Sequence, residues 1–342
     1  MTRRGRTGDQ QCAEPGLAQA DGVTRVSLAE LVSARVEVRR LGLSIGGPVV
    51  AARAGGHLSR FRGPGVEYDE SRAYVPGDDP RTMDWRVTAR AAKPHVKVYR
   101  EERERPLWLF VDQGLSMRFG TRVALKSVIA ARAAALLGWM AVAHGDRVGG
   151  LIWHEGGLAL RPPAGRERGL LALLRALADG PTGGADAEVP AAATPGPAGP
   201  GGRSSAGGFI DALRALAGQV RPGSRVFLIS DFANGRGGDD GWLNRLTGHS
   251  EVVLIFVYDP IEASAPPSGH WPVTDGRVRR LLDLSSAGRR ALYESRFAQH
   301  RDRLADLARR QGSHWIELST EEPVGAALVQ ALGGRQPRGG GS

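Results

Sequence analysis

Residues 106–120 read PLWLFVDQGLSMRFG, an apolar run that ends in Asp112 and is followed by Gly114 and Ser116. A short run of aliphatic and aromatic residues that leads into polar, turn-forming residues is typical of a buried parallel strand and its following loop. In open α/β sheets, ligands bind outside the carboxyl ends of such strands. Asp112 and Ser116 are therefore predicted either to line a ligand site or simply to cap the strand and the next helix.

After residue 106, predicted strands alternate with predicted helices. This alternation indicates parallel βαβ units, and so an α/β fold with a mostly parallel sheet flanked by helices. The run VRRLLDL at 278–284 predicts one arm of a hairpin. The predicted strands are LWLFV, DRVGGLIWH, SRVFLIS, EVVLIFVY and HWIELS, and the predicted helices span 123–143, 166–177, 209–220, 241–246, 287–310 and 324–332.

Composition divides the chain into parts with different properties. A small irregular or β-rich module, which opens with a helix capped by Ser27, precedes the α/β domain. A Pro-, Gly- and Ala-rich stretch without large apolar side chains predicts a flexible insertion in that domain. The predicted parts are a disordered N-terminus (1–25), the module (26–105), the α/β domain (106–333) with its insertion (181–208), and a disordered tail (334–342).

Overall composition narrows the function classes. The single cysteine, Cys12, allows no intramolecular disulfide and no thiolate zinc site. The basic N-terminal residues have no apolar stretch behind them, so we expect a cytoplasmic protein, and the apolar segment 128–143 carries Arg132 and predicts a core helix rather than a membrane span. The net charge of +10 comes from arginines spread along the chain without a nucleic-acid-binding motif. Specific nucleic-acid binding is therefore not expected, and non-specific binding stays an alternative.

A second predicted strand ends in the same way as the first, because the apolar part of SRVFLISDFAN is followed by Ser230 and Asp231. Two parallel strands that bring aspartates to one edge, with Ser116 nearby, resemble the metal-ion-dependent adhesion site of the von Willebrand factor A fold. That resemblance implies a von Willebrand factor A-like domain and a Mg²⁺ site on Asp112, Ser116 and Asp231, since Mg²⁺ prefers hard oxygen ligands.

The resemblance is incomplete at two ligand positions. Gly114 stands where the family pattern has its first serine, so a serine there would be expected to restore an oxygen ligand. The family's threonine has no clear counterpart, because Thr121 is misplaced and the corresponding loop falls near Ser204 and Ser205. The expectation is therefore a partial site that binds Mg²⁺ weakly or has lost it.

The segment before the first strand carries a dense motif of charged residues, Pro, Gly and Trp. It is similar to the signature of the bacterial family called domain of unknown function 58, and the similarity extends over about residues 41–332. The matching residues are Arg72, Tyr74, Pro76, Gly77, Asp78, Asp79, Arg81, Met83, Asp84 and Trp85, followed by Ala89, Arg90, Val96 and Glu102.

The signature has a structural and a functional interpretation. In the structural one, Pro76 and Gly77 form a turn, and the two aspartates after it cap amides and pair with Arg81 or Arg90. Trp85 is then a buried anchor, and the whole motif braces the module against the α/β domain. In the functional one, the motif is a docking surface or covers the sheet edge. We prefer the brace on sequence grounds.

The family resemblance implies a non-enzymatic interaction protein that works with a MoxR-type AAA+ ATPase in the assembly or maturation of other proteins. The alternative is a metal-dependent hydrolase at the Asp112 and Asp231 edge. The sequence lacks an H-E-x-x-H motif, a G-x-S-x-G elbow and a P-loop. His144 and His154 flank a predicted strand and are the nearest candidates for a base reachable from one edge.

Overall fold

The computed structural model describes residues 21–42, 67–76, 78–91, 93–100, 105–180, 208–235, 241–274 and 279–332. Of the signature residues, Gly77 and Glu102 lie outside these ranges. Ser204, Ser205, the predicted tail and nearly all of the predicted insertion also lie outside them.

A six-stranded sheet forms the centre of the α/β domain. Its strands are β3 (Pro106–Asp112), β4 (Arg147–His154), β5 (Gly157–Ala164), β6 (Arg225–Ser230), β7 (Glu251–Tyr258) and β10 (His314–Ser319). They lie in the order β10-β7-β6-β3-β4-β5, and only the edge strand β5 runs antiparallel to its neighbour. The predicted mixed α/β fold with a mostly parallel sheet is confirmed.

Helices cover both faces of this sheet. Side chains alternate along β3, so that Leu107, Leu109 and Val111 face one helical layer while Trp108 and Phe110 face the other. The first layer contains α1 (Leu28–Leu41), α3 (Lys126–Ala143), α4 (Glu167–Asp179) and α9 (Val324–Leu332), and the second contains α5 (Phe209–Gln219), α6 (Gly241–Thr247) and α8 (Ala287–Arg310).

Helix α1 packs with the α/β domain, although the sequence analysis placed it in the module of residues 26–105. Ser27 caps it as predicted, accepting a hydrogen bond from the Glu30 amide at 3.0 Å. Leu31 is buried in the core shared with α3, and its carbonyl accepts a hydrogen bond from Trp139 Nε1 at 3.0 Å. The amphipathic face of α1 is thus buried against α3, where it removes apolar surface from water.

The module contains a two-stranded antiparallel sheet of β1 (Glu67–Ala73) and β2 (His95–Arg100). A 3₁₀ turn at Pro80–Thr82 and helix α2 (Trp85–Ala91) connect the two strands. The described part of the module therefore consists of one strand pair with a short helical connection.

Two strands of the α/β domain were not predicted. The run GLALRPPA forms β5, whose Pro162 and Pro163 argue against a central strand but are tolerated at a sheet edge. Strand β8 (His270–Thr274) pairs with β9 (Arg279–Asp283), so the predicted hairpin arm is confirmed and its partner is identified. The short helix α7 (Pro260–Ala263) lies between β7 and this hairpin.

Helix α3 is the one helix among the described residues whose length and hydropathy would allow it to cross a membrane. Within the fold, 83% of it is buried, which is what a central helix of an α/β protein requires. It packs against the sheet and against α1, α4 and α9.

The strand order reverses between β3 and β6. From β3 the chain continues to β4 and β5 on one side, then crosses to β6, β7 and β10 on the other. In doubly wound sheets such a switch point opens a crevice at the carboxyl ends of the strands. Asp112 ends β3, Ser230 ends β6 and Asp231 follows it, so the predicted acidic residues flank this point.

Candidate functional site

Asp112 is completely buried at the end of β3. Its Oδ1 accepts a hydrogen bond from the Gly114 amide at 2.8 Å, and its Oδ2 accepts one from Ser230 Oγ at 2.5 Å. Burial, reinforced by the negative charge of Asp231, raises the pKa of Asp112 to about 7 against the lowering effect of these hydrogen bonds. The carboxyl group therefore keeps its proton to a higher pH than an ordinary aspartate does.

Asp231 is the centre of the site. Its Oδ1 accepts hydrogen bonds from Ser116 Oγ at 3.1 Å and from the Ala233 amide at 2.9 Å. Its Oδ2 accepts one from the Nζ atom of Lys126 at 2.8 Å. The structure thus places Asp112, Ser116 and Asp231 at one sheet edge, as predicted, and adds a lysine that the sequence analysis did not consider.

Lys126 is the first residue of α3, and only 1% of its surface is exposed. Its ammonium also binds Glu262 Oε1 at 2.8 Å. Burial lowers the pKa of Lys126, but the charges of Asp231 and Glu262 outweigh this effect, so the pKa is raised and the lysine is charged. The one sequence signal for this role is a lysine at the start of a long apolar helix, where a cation needs an acidic partner.

Glu262 reaches the site because α7 begins with a capping box. Asp259 accepts the Ile261 amide, while Glu262 Oε2 accepts the Asp259 amide at 2.9 Å. Burial raises the pKa of Glu262, and the positive charge of Lys126 partly offsets this rise. One oxygen of the Glu262 carboxylate therefore accepts the Asp259 amide at the start of α7, and the other accepts a hydrogen bond from Lys126.

Thr121 belongs to a neighbouring cluster. Its hydroxyl donates to Asp259 Oδ1 at 2.8 Å, and its amide donates to Asp259 Oδ2 at 2.9 Å. Thr320, which follows β10, donates to the same Oδ2 at 2.8 Å. The interpretation of Thr121 as misplaced for the metal motif agrees with this position, because it connects the loop after β3 to the end of β7.

The two histidines do not share an edge. His154 ends β4 on the site's side, but His144 follows α3 and precedes β4, at the opposite end of that strand. The suggestion that both are reachable from one edge is therefore wrong, because a strand carries its first and last residues to opposite edges of the sheet. Glu155, next to His154, does reach the site and accepts the Leu115 amide at 2.6 Å.

The chain bends sharply after Asp231. Phe232 has a φ of 51°, which is unusual for a bulky residue. Its ring is buried and makes an edge-to-face contact with Phe209, with the ring centroids 6.3 Å apart. Phe209 makes a similar contact with Phe110, at 5.5 Å. The Phe232 amide donates to Ser230 Oγ at 2.8 Å. Packing and this hydrogen bond hold the strained turn that directs Asp231 toward Ser116 and Lys126.

These residues fit a divalent metal poorly. Both oxygens of Asp231 and both oxygens of Asp112 already accept hydrogen bonds from the protein. The ammonium of Lys126 lies directly on Asp231, where it would repel a second cation. Within the described ranges, no three His, Cys, Asp or Glu side chains are arranged to hold a metal ion.

Gly114 adds a steric obstacle to the expected serine. A β carbon at this position would lie 2.6 Å from Cζ3 of Trp153 and 3.0 Å from Oδ1 of Asp112. The expectation that a serine there would restore an oxygen ligand is therefore wrong, because side chains pack where its atoms would have to go.

Some signature residues have surroundings and partners other than those predicted. Trp85 is 70% exposed, so the prediction of a buried anchor is wrong. Asp78 forms a two-pronged ion pair with Arg72, at 2.6 and 2.8 Å, instead of pairing with Arg81 or Arg90. The Asp78 amide donates a hydrogen bond to the Val75 carbonyl at 3.0 Å, while Gly77 of the predicted turn lies outside the described residues.

Two of the described signature residues are buried, Val96 and Asp84, and Asp84 is the charged one. Only 6% of its surface is exposed, and it accepts hydrogen bonds from Ser71 Oγ at 2.7 Å and from the Arg86 and Val87 amides at 3.2 Å. Asp79 caps the 3₁₀ turn through the Arg81 amide, and Tyr74 donates its amide to the Pro94 carbonyl. The bonds of Arg72, Asp78 and Asp79 therefore connect residues of the module to one another rather than to the α/β domain.

Comparison with known proteins identifies the family. Uncharacterized proteins of Mycobacterium bovis and Mycobacterium tuberculosis are 31% identical over 303 residues, which cover 87% of this chain and 89% of theirs. Among solved structures, BatB from Bacteroides thetaiotaomicron aligns with 13% identity and a TM-score of 0.38, over 67% of this chain and 97% of BatB. An aerotolerance-related membrane protein of Bacteroides fragilis aligns with 15% identity and a TM-score of 0.39, over 67% and 98%. The model described as "Protein of unknown function DUF58" matches residues 70–303, and the chain therefore belongs to this family.

Proposed function

We propose that this protein is a non-enzymatic adaptor that binds a MoxR-type AAA+ ATPase and assists the assembly or maturation of other proteins. The observation that carries the proposal is the exposure of Trp85 within the signature module, at 70% of its surface. Tryptophan is costly to leave in water and is enriched among the residues that dominate binding energy at protein interfaces.

The surroundings of Trp85 have the composition of an interface. Val75 is 55% exposed, and Arg81, Arg86 and Arg90 are exposed on the same small module. Aromatic and arginine side chains are enriched at interfaces, and arginines around an aromatic residue favour a partner with acidic side chains. We call Val75, Arg81, Trp85, Arg86 and Arg90 the signature surface. The Arg72–Asp78 ion pair and the Asp84 hydrogen bonds stabilise the backbone that presents it.

We propose further that the α/β domain is von Willebrand factor A-like. Support comes from the strand order, the single antiparallel edge strand, and the two aspartates that flank the switch point. In this proposal the domain is a scaffold whose ligand edge has been converted to internal hydrogen bonds and ion pairs.

The hydrolase alternative receives less support from the geometry. A hydrolytic site needs a nucleophile or an activated water next to a base that can accept its proton. Ser116 donates to Asp231, but the other oxygen of that carboxylate is already paired with the buried ammonium of Lys126. The arrangement favours a stabilising role for these groups.

The proposal is tested by measuring the affinity of the full-length protein for a MoxR-type AAA+ ATPase from the same genome, with ATP present. Trp85→Ala should weaken binding at least roughly tenfold, or about 1.4 kcal/mol, because an exposed aromatic contact is lost. Arg81→Glu should also weaken it, by reversing a charge at the rim of the surface.

Trp271→Ala provides the matched control. Trp271 is also a partly exposed tryptophan, at 39%, but it lies on the β8–β9 hairpin of the α/β domain. Its replacement should leave the affinity unchanged. Equal affinity of the wild type and Trp85→Ala, or loss of binding only in Trp271→Ala, would contradict the proposed surface. The absence of any binding by the wild-type protein would contradict the ATPase partnership itself.

A further inference from the structure

Lys126 is an unusual residue for its position. Only three of the 46 basic residues in this arginine-rich chain are lysines, and one of them is buried at the beginning of the long apolar helix α3. The amino end of a helix carries a partial positive charge, which disfavours a cation. A buried ammonium also loses most of its hydration. Strong local interactions must offset both costs.

The acidic groups of the sheet edge supply those interactions. Nζ of Lys126 lies 2.8 Å from one oxygen of Asp231 and 2.8 Å from one oxygen of Glu262. The ring of Phe119 lies on a further side, with its centroid 5.8 Å from Nζ. Two carboxylates and an aromatic ring thus surround the ammonium, and they come from the residue after β6, from α7 and from the loop after β3.

We propose that the ammonium of Lys126 is a built-in cation that replaces a divalent metal ion at this edge, so that the edge is assembled without metal. A metal ion in an acidic crevice joins carboxylates from different strands and neutralises their repulsion. Lys126 performs both tasks here, because it joins Asp231 to Glu262 from its own place on α3. The proposal concerns this site alone and does not depend on the identity of the partner.

Lysine suits this task better than the arginine that the chain uses elsewhere. Its ammonium is a compact point charge with three donors that can be aimed at separate acceptors. A guanidinium is planar and pairs best with a single carboxylate through two parallel bonds. Asp231 and Glu262 each offer one oxygen to the cation, because their other oxygens accept backbone amides or Ser116.

The proposal predicts that metal ions act on this edge only after the lysine is removed. Thermal unfolding of the wild-type protein should have the same midpoint in EDTA, in Mg²⁺ and in Mn²⁺. Lys126→Ala should lower the midpoint by roughly 10 °C in EDTA, because two buried carboxylates lose their cation. Mn²⁺, or methylammonium as a free substitute for the lost group, should restore part of that loss.

Two variants separate this effect from general binding of cations. Lys126→Met keeps the side-chain volume without the charge, so it should be destabilised but respond to neither cation, because the space stays filled. Lys126→Ala combined with Asp231→Asn and Glu262→Gln removes the acidic groups and should also be unresponsive. A response of Lys126→Ala alone supports the proposal.

Several results would overturn it. If Mg²⁺ or Mn²⁺ raises the midpoint of the wild type and Asp231→Asn abolishes that rise, the edge is an ordinary metal site. An unchanged midpoint in Lys126→Ala would show that no cation is needed. If Lys126→Ala does not fold, the wild-type titration still decides the question, since it requires no variant of Lys126.

Discussion

Nζ of Lys126 lies 2.8 Å from Oδ2 of Asp231, although 105 positions separate the two residues in the chain. The ion pair connects the start of the central helix α3 to the end of β6, next to the switch point of the sheet. It is buried on both sides, with 1% of the lysine and 7% of the aspartate side chain exposed. Buried charges of this kind stabilise a protein only when each has its partner. Removing one charge, or all of them, should therefore have clearly different effects on stability.

Removing the charge of Lys126 should strongly destabilise the protein. Lys126→Met is expected to lower the free energy of unfolding by about 3–5 kcal/mol, because Asp231 and Glu262 are left buried without their cation. Chemical denaturation at neutral pH measures the loss. The triple variant Lys126→Met, Asp231→Asn and Glu262→Gln should recover much of it, since no uncompensated charge remains. A triple variant no more stable than the single one would argue against this ion-pair account.

Gly114→Ser should reduce stability and should not create a metal ligand. The backbone at Gly114 has a φ of −67°, which any residue adopts, so the cost is steric rather than conformational. The new β carbon would meet Trp153, which is buried and in edge-to-face contact with Phe209 at 5.2 Å. A cost of about 1–3 kcal/mol is expected from overpacking. Gly114→Ala should cost a similar amount, and a neutral Gly114→Ala would show that Trp153 can move aside.

Asp112 should make the protein less stable as the pH rises toward neutrality. Its pKa is about 7 in the folded protein, against 3.8 as the ordinary value. Between these values the folded state holds a proton that the unfolded state has lost, so stability falls as the pH rises from about 4 to about 7. The contribution is on the order of 4 kcal/mol at most.

Asp112→Asn is the variant that tests this dependence. The amide resembles the protonated acid, because its oxygen can accept the Gly114 amide while its nitrogen donates to Ser230. The free energy of unfolding, measured in urea between about pH 5 and pH 8, should decline less in Asp112→Asn than in the wild type. Glu262, whose pKa is also raised, adds a decline of the same sign to both proteins. Parallel curves for the two proteins would show that Asp112 does not titrate in this range.

Trp85→Ala should change stability by less than about 0.5 kcal/mol, because the indole is mostly in water. Asp84→Ala, one residue earlier, should instead destabilise the module by about 1–3 kcal/mol, since a buried carboxylate that caps α2 and binds Ser71 is lost. Hydrogen exchange of the β1 and β2 amides reports the stability of the module directly. Faster exchange in Trp85→Ala than in Asp84→Ala would reverse these two roles.

The sequence alone determined the alternation of strands and helices and the identity of the two acidic strand ends. Apolar runs such as 107–111 and 226–229 are long and regular enough to predict buried strands, and the carboxyl ends of parallel strands necessarily meet at one edge. The expectation that Asp112, Ser116 and Asp231 lie close together follows from this geometry. Strand β5 was missed because its prolines contradict a strand unless the strand is known to lie at an edge.

Only the tertiary structure decided what that edge contains. Lys126 and Glu262 lie 105 and 31 positions from Asp231, respectively, and no local pattern indicates that the lysine turns inward between two carboxylates. The space around Gly114 depends on Trp153 from the neighbouring strand, and the exposure of Trp85 depends on which face of α2 the module covers. Burial, ion pairing and steric fit arise from residues that are distant in the chain, so the site's chemistry is a property of the packed fold and not of its motifs.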